Sequence, residues 1–175
     1  MTEYVLSIDP GVSTGIALIG YTPDAHPALE GAWQFGGGVA GLIDWYHDHQ
    51  TEGCTVIAEK FTARNTRGFS YTTASLEPLR GEGALIALGL MPDYAVAEKL
   101  WRDPSLQYFS GGSGKAERKK KQHAFLKANG FYKTGKDFGT PDADDFRSAA
   151  SHGLAYLARE LHHKPTFELL SSWEG

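Results

Sequence analysis

Cysteine is almost missing from this chain: 175 residues hold one, Cys54, beside two methionines. A lone thiol excludes an internal disulfide and any cysteine-based zinc site, and an isolated Cys most often fills a small apolar gap, the role expected of Cys54. Long apolar runs are also lacking. None approaches the roughly 20 residues of a membrane span, and the amino terminus carries no secretory pattern, so a cytoplasmic protein is expected. Nor is there an overall excess of positive charge. Seventeen Lys and Arg stand against 21 Asp and Glu, a net charge of −4, which by itself does not announce a nucleic-acid binder.

The distribution of charge says more than its sum. Lys115, Arg118, Lys119, Lys120, Lys121, Lys127, Lys133 and Lys136 fall in one stretch with Glu117 as the only acid among them. The rest of the chain is correspondingly acidic. Such asymmetry suits one face that meets a polyanion and others that repel it. A helix face merely solvated by lysines is the plainer explanation of the same run. The four consecutive residues Arg118–Lys121 occupy every side of a helical turn, so they cannot all contact one strand.

Short apolar runs punctuated by glycine organise the first half. Tyr4–Ile8 reads as a buried strand ending at Asp9, and Pro10–Gly11 break it. Ile16–Ile19 follows as the second arm of a hairpin, and Ala32–Phe35 as a third strand. Val39, Leu42, Ile43 and Tyr46 have helical spacing, and Thr55–Ala58 is a fourth strand ending at Glu59. A polar loop spans Thr62–Thr73, then Leu76–Leu90 reads as a helix containing Gly81 and Gly83. Tyr94–Ala97 is a last strand, and Gly111–Gly114 links to a helix over Ala116–Ala128. The final helix opens at Thr140–Pro141, a cap followed by proline, and runs to about His162. One domain, residues 1–164, with a loosely held tail over 165–175, accounts for the length. Strands first and helices interleaved later predict a mixed α/β sheet covered on both faces.

Two acids stand at equivalent places, Asp9 after the first strand and Glu59 after the fourth. On neighbouring parallel strands they would emerge at one sheet edge about 5 Å apart. Carboxylates that close repel, and a divalent cation removes the conflict. Oxygen ligands without Cys or paired His point to Mg²⁺ or Mn²⁺. The last helix offers Asp142, Asp144 and Asp145. At about 100° per residue, Ala143, Phe146, Ala150, Leu154, Leu157 and Leu161 form one buried stripe. Asp142 and Asp145 flank it, three residues apart, and are the favoured ligand pair. Asp144 falls nearly opposite and should face solvent. His152 shares Asp145's flank two turns on and reads as a satisfied or exposed histidine rather than a ligand. Acids in a first helical turn are also favoured by the macrodipole alone, and Asp-Pro-Gly after a strand is often only a turn. The joint pattern is what singles these residues out.

Four segments in order, IDPGVSTGIALI (Ile8–Ile19), VIAEKF (Val56–Phe61), GSGKAERKKKQ (Gly112–Gln122) and DADDFRSAASHG (Asp142–Gly153), resemble the RuvC-type Holliday-junction resolvases. The resemblance covers roughly Tyr4 to Leu157, and the short length and divergent motifs look more like the phage-encoded branch. It implies a ribonuclease-H-like fold with a mixed five-stranded sheet, a homodimer, and two Mg²⁺ or Mn²⁺ ions held by Asp9, Glu59, Asp142 and Asp145 as catalytic residues. It also implies in-line hydrolysis of a phosphodiester in branched DNA, leaving a 5′ phosphate. Lys115 and Arg118 match the family's basic positions, with Lys119, Lys120 and Lys121 alongside as phosphate contacts. Phe61 matches an aromatic that wedges into the branch point, though a core position suits it equally, and Arg64 and Arg67 would contact DNA near the site. The family usually follows its last Asp with Ala and Leu, where this chain has Phe146 and Arg147. Its closing His also lies one residue nearer here, and registering on His152 makes Asp144 the alternative ligand. The Leu76–Leu90 helix is the candidate dimer interface. Three other readings use the same residues. One is a nuclease of this fold acting on flaps or RNA–DNA hybrids, another an actin-like or sugar-kinase-like ATPase fragment using Asp9, Gly11, Thr14 and Gly15, and the third a non-catalytic DNA-binding relative.

Overall fold

The computed structural model describes residues 1–49, 51–60, 72–90, 94–96, 115–134 and 144–172. Three antiparallel strands lead, β1 (Glu3–Asp9), β2 (Thr14–Thr22) and β3 (Ala25–Phe35). Helix α1 (Gly38–Asp48) connects to β4 (Cys54–Glu59), which lies parallel to β1. Helix α2 (Thr73–Ala87), the short strand β5 (Tyr94–Val96) and helices α3 (Lys115–Ala128), α4 (Asp144–Arg159) and α5 (Lys164–Ser171) follow. The sheet order is β3-β2-β1-β4-β5. Against the expected five-stranded sheet, four strands of six to eleven residues carry the structure. The fifth is an edge ladder of three residue pairs, Ile57–Glu59 against Tyr94–Val96.

Alternation along the strands divides the core in two. Leu6, Ile8, Ile16, Val56 and Ala58 point to one face and pack with Leu42 and Trp45 of α1 and Ala84 and Leu85 of α2. Val5, Ala17, Ile19 and Ile57 point to the other and pack with Phe125 and Leu126 of α3, Phe146 through Ala158 of α4, and Leu170 of α5. The helices therefore cover both faces, as the pattern of strands and helices predicted. The buried side of α1 is carried by Leu42 and Trp45; the helical spacing noted above included Leu42 but passed over the tryptophan.

Helix α4 is the centre of its layer. Nearly every residue from Phe146 to Ala158 is buried, because the sheet lies under it while α3 and α5 flank it. Small residues permit the approach: Gly153 lies against the side chains of Ile19 and Ser7, and the Ser7 hydroxyl donates to the Ala149 carbonyl at 2.7 Å. The expected cap of this helix at Thr140–Pro141 lies outside the described residues. At the carboxyl terminus a helix, α5, stands where a loose tail was expected. His163 ties it down, one ring nitrogen 2.7 Å from the Thr22 carbonyl and the other 2.6 Å from the Thr166 hydroxyl, and Leu170 is buried in the core.

On the opposite face, α2 begins earlier than its apolar pattern suggested, through a reciprocal cap in which Thr72 and Ser75 exchange side-chain-to-backbone bonds of 2.8 and 3.2 Å. Helix α1 has no capping side chain of its own. The Glu77 carboxylate of α2 accepts from the Val39 amide at 3.1 Å instead, and is paired with Arg80 at 2.9 Å. The amide of Gly38 donates to the Val12 carbonyl at 3.0 Å, and Pro10 packs on Gly81. The turn that follows Asp9 is thus held between the start of α1 and the middle of α2. Among the described residues no helix is long and apolar enough to cross a membrane.

Candidate active site at the carboxyl edge of the sheet

The strand parity that buries Val5 and Ser7 beneath α4 also directs Asp9 to that face, and Ile57 sets the same direction for Glu59. The register Ile8–Ala58 of the parallel ladder makes Asp9 and Glu59 the next residues out on adjoining strands, so both acids leave the sheet together. Across the antiparallel ladders Asp9 faces Gly15, and Gly15 faces Gln34. Glu59, Asp9, Gly15 and Gln34 form one row across four strands.

That row is the seat of α4. Gly15 has no side chain, and the space a Cβ would take is filled by the backbone of Asp145 and Phe146. Gln34, buried, accepts from the Phe146 amide at 2.9 Å, satisfying one of the donors a helix start leaves open. With its first turn fixed there, α4 brings Asp145, then Ser148 and His152, along one flank toward the two strand-end acids. Ser148 hydrogen-bonds to Asp9, and Asp145 is near enough to repel it. His152, buried, places Nε2 3.8 Å from Glu59 Oε2.

The two carboxyls respond in opposite directions. Asp9 is held well above the usual carboxylate range, first by burial, then by its hydrogen bond with Glu59 and the negative charges of Glu59 and Asp145, with Ser148 opposing. Burial pushes Glu59 up as well, but hydrogen bonds from His152 and Asp9 outweigh it and bring Glu59 down to about 2. These opposite shifts favour one proton shared by the pair, on Asp9 rather than on Glu59. Among the described residues no group of three or more His, Cys, Asp or Glu side chains is gathered tightly enough to hold an ion by itself. The donor chemistry nonetheless suits a hard divalent cation: carboxylate oxygens, with no thiol among them. A cation here would stand in for the shared proton.

Asp144 behaves differently from its neighbour and does not face solvent as helix geometry suggested. Its carboxylate is half-buried and paired with Lys119, with His123 Nε2 3.5 Å away and Arg147 3.4 Å away. The solvent assignment assumed a helix covered on one side, whereas α3 packs against the second side of α4. Lys119 and Lys120 are exposed on α3 and Lys121 is half-buried. Lys115 and Arg118 belong to α3, with side chains outside the described residues. Phe61, Arg64, Arg67 and Asp142 also lie outside them.

Sequence reasoning passed over Gln34 and Ser148, named Gly15 only for a nucleotide-binding turn and Arg147 only as a departure from the family, and set His152 aside. Gly15 and Gln34 carry no local signal, since only strand pairing makes them a seat. Ser148 and His152 lie three and seven residues after Asp145, a spacing that one helix flank provides, and that signal was available.

No family model matches the chain, and comparison with curated proteins by sequence finds no match. Comparison of folds does. The structure of T. thermophilus RuvC in complex with a Holliday junction substrate aligns over 88% of this chain and 92% of its own, with a TM-score of 0.57 and 13% identity. A second structure of RuvC from Thermus thermophilus aligns over 93% and 98%, with a TM-score of 0.53 and 14% identity. The chain shares the fold of these RuvC structures.

Proposed function

We propose that the chain is a divalent-metal-dependent endonuclease that cuts branched DNA, four-way junctions foremost. The observation that carries this reading is the convergence of Asp9 and Glu59 at one sheet edge under the start of α4, with Asp145 delivered beside them. The fold supports it, because T. thermophilus RuvC, of the same architecture, takes a Holliday junction substrate.

Asp9, Glu59, Asp142 and Asp145 would hold two Mg²⁺ or Mn²⁺ ions. When bound, the ions supply Lewis-acid stabilisation of charge on the phosphate and acidify the attacking water. The chain's own residues prepare for this. Asp9 would serve as a carboxylate ligand, with Ser148 as the hydrogen-bond donor that favours its ionised form. Glu59 is already ionised, and His152 fixes its orientation from the buried side. The lysines of α3 bind phosphates through charge, which positions the strand without reading its sequence. Phe61, Arg64 and Arg67 follow directly on Glu59 in the chain and are assigned to the branch point and nearby phosphates.

Selectivity for junctions requires two sites that meet two symmetric strands, hence a homodimer. Leu79 and Ile86, exposed at 49% and 54%, lie on one face of α2 with Gly83 between them, which supports α2 as the dimer surface. The divergent closing motif favours the phage-encoded branch, which would work in the host cytoplasm. The deciding experiment compares cleavage of an immobile four-way junction with a flap, a linear duplex and an RNA–DNA hybrid, in Mg²⁺, Mn²⁺ and EDTA. Asp9→Asn and Asp145→Asn run alongside. Paired symmetric cuts lost with EDTA and in both variants are expected. Equal or better cutting of flaps or hybrids replaces the substrate and keeps the acid site.

A further inference from the structure

Arg147 stands where the resembling family carries an apolar residue, and it is buried to 5%. A guanidinium placed there needs partners. One nitrogen donates to the Tyr132 hydroxyl at 2.9 Å and lies 3.4 Å from His123 Nδ1, and the guanidinium carbon sits 4.9 Å above the Tyr132 ring. Its other terminal nitrogen is 3.4 Å from Asp144 Oδ1. His123, with Nδ1 toward Arg147, directs Nε2 to the same Asp144 oxygen at 3.5 Å and packs edge-on against Tyr132. The other Asp144 oxygen is bound to Lys119. Further along, Gln122 donates to the Ser151 hydroxyl at 2.6 Å. One carboxylate therefore joins the basic helix α3 to the first turn of α4, next in the chain to Asp145.

We propose that Asp144 is a positioning residue that fixes the Lys119 ammonium at the first turn of α4 as a phosphate contact, with Arg147 keeping its carboxylate turned toward α3 and away from the ions. This rests on the nuclease reading and deepens it. Lysine on an exposed helix is a mobile point charge with a long, flexible stem. Asp144 removes that freedom for one lysine of the run. The Lys119 side chain is still 45% exposed, so a phosphate can reach it while Asp144 holds it. Arg147 and His123 make the arrangement one-sided, because a carboxylate drawn toward three groups on the α3 side is withdrawn from the flank that carries Asp145, Ser148 and His152. The alternative role of Asp144 as an ion ligand requires the opposite orientation.

The test is a double-mutant cycle of Lys119→Met and Asp144→Asn, read by two measurements that need no cleavage: Mn²⁺ affinity of the protein alone, and affinity for a four-way junction in EDTA across salt concentrations. Lys119→Met should weaken junction binding by about tenfold near 0.1 M salt and lower the salt slope by about one. Asp144→Asn should weaken it severalfold, and the double variant should be no worse than Lys119→Met, since Asp144 acts through that lysine. Mn²⁺ affinity should stay within about threefold in all three. A tenfold or greater loss of Mn²⁺ affinity in Asp144→Asn, or additive losses in junction affinity, overturns the proposal and makes Asp144 a ligand or an independent contact. Should Asp144→Asn fail to fold, Lys119→Met against Lys120→Met decides. A larger loss at Lys119 supports the anchored contact, and equal losses overturn it. Wild-type protein that binds Mn²⁺ and cuts junctions while every variant binds them equally well leaves the nuclease reading standing and this one refuted. Wild-type protein that neither binds Mn²⁺ nor cuts any substrate refutes both.

Discussion

A methyl group added at Gly15 measures how far the acid site depends on the seat of α4. Gly15 lies between Asp9 and Gln34 in the row across the sheet, and a Cβ there would overlap the Asp145 carbonyl and the Phe146 amide. These are backbone atoms, so no rotamer change relieves the overlap. Restoring ordinary carbon contact at about 3.5 Å requires the first turn of α4 to lift by on the order of 1 Å. Lifting stretches the 2.9 Å bond from the Phe146 amide to Gln34, a net contribution of about 1 kcal/mol. Overpacking of this kind costs about 1–3 kcal/mol. With a shift of about 2–4 °C per kcal/mol at this size, Gly15→Ala should melt roughly 2–12 °C lower. Displacing a reacting group by about 1 Å costs on the order of a hundredfold in rate, so single-turnover junction cleavage should fall by about that factor. Junction binding in EDTA, carried by α3, should change little. Gly36→Ala is the control, since its methyl meets nothing within 4 Å. A Gly15→Ala protein that melts with the wild type and cuts at full rate refutes the contact. Lowered melting with full cutting keeps the packing but removes Asp145 from the site.

Raised Asp9 and lowered Glu59 set the pH dependence of the metal-free protein. The Asp9 contribution is complete below about 4, its unfolded value, and is lost as pH rises through its folded one; the Glu59 contribution is present above about 4.3 and is lost as pH falls toward 2. Thermal melts in EDTA should therefore peak in mildly acidic buffer and decline toward neutrality. Mg²⁺ should restore stability at pH 8 much more than at pH 5, and a flat profile in EDTA contradicts the shared proton. Asp9→Asn should abolish that decline and raise the EDTA melting temperature at pH 8, while removing cleavage. His152→Ala should lower cleavage by roughly 10–100-fold, and His152→Gln, whose amide can still donate to Glu59, should recover part of it; no difference between the two would mean that His152 only fills space. Leu79→Glu with Ile86→Glu should sediment as a monomer that nicks junctions without paired cuts, and an intact dimer would place the interface elsewhere.

Much of the architecture is legible in the residues because burial follows period. Short apolar runs in β1, β2 and β4 predict strands, and Asp9 and Glu59 stand out as acids at the ends of two of them. That β1 and β4 are parallel neighbours follows only from the assembled sheet, because strand order is a matter of non-local pairing that leaves no trace in local sequence. The helices mislead where a single buried face was assumed. Asp144 is assigned to solvent by a wheel with one apolar stripe, yet α3 covers that side, and Arg147, an arginine that would ordinarily be exposed, is nearly buried among partners from α3 and from Tyr132. The tail after Pro165 is polar enough to pass for loose chain, and becomes α5 because His163 finds a carbonyl at the end of β2.

The sequence by itself determined the class of fold, the two strand-end acids, the concentration of basic residues on one helix and the acidic start of another. These are local: each follows from side-chain type and spacing within a single element. Tertiary structure alone decided which acids meet, that Gly15 and Gln34 seat α4, that the Asp9 carboxyl is pushed up while Glu59 is held down, and that Asp144 turns to Lys119 rather than to Asp9. Each of those depends on groups far apart in the chain, held at distances where burial, repulsion and hydrogen bonding act together.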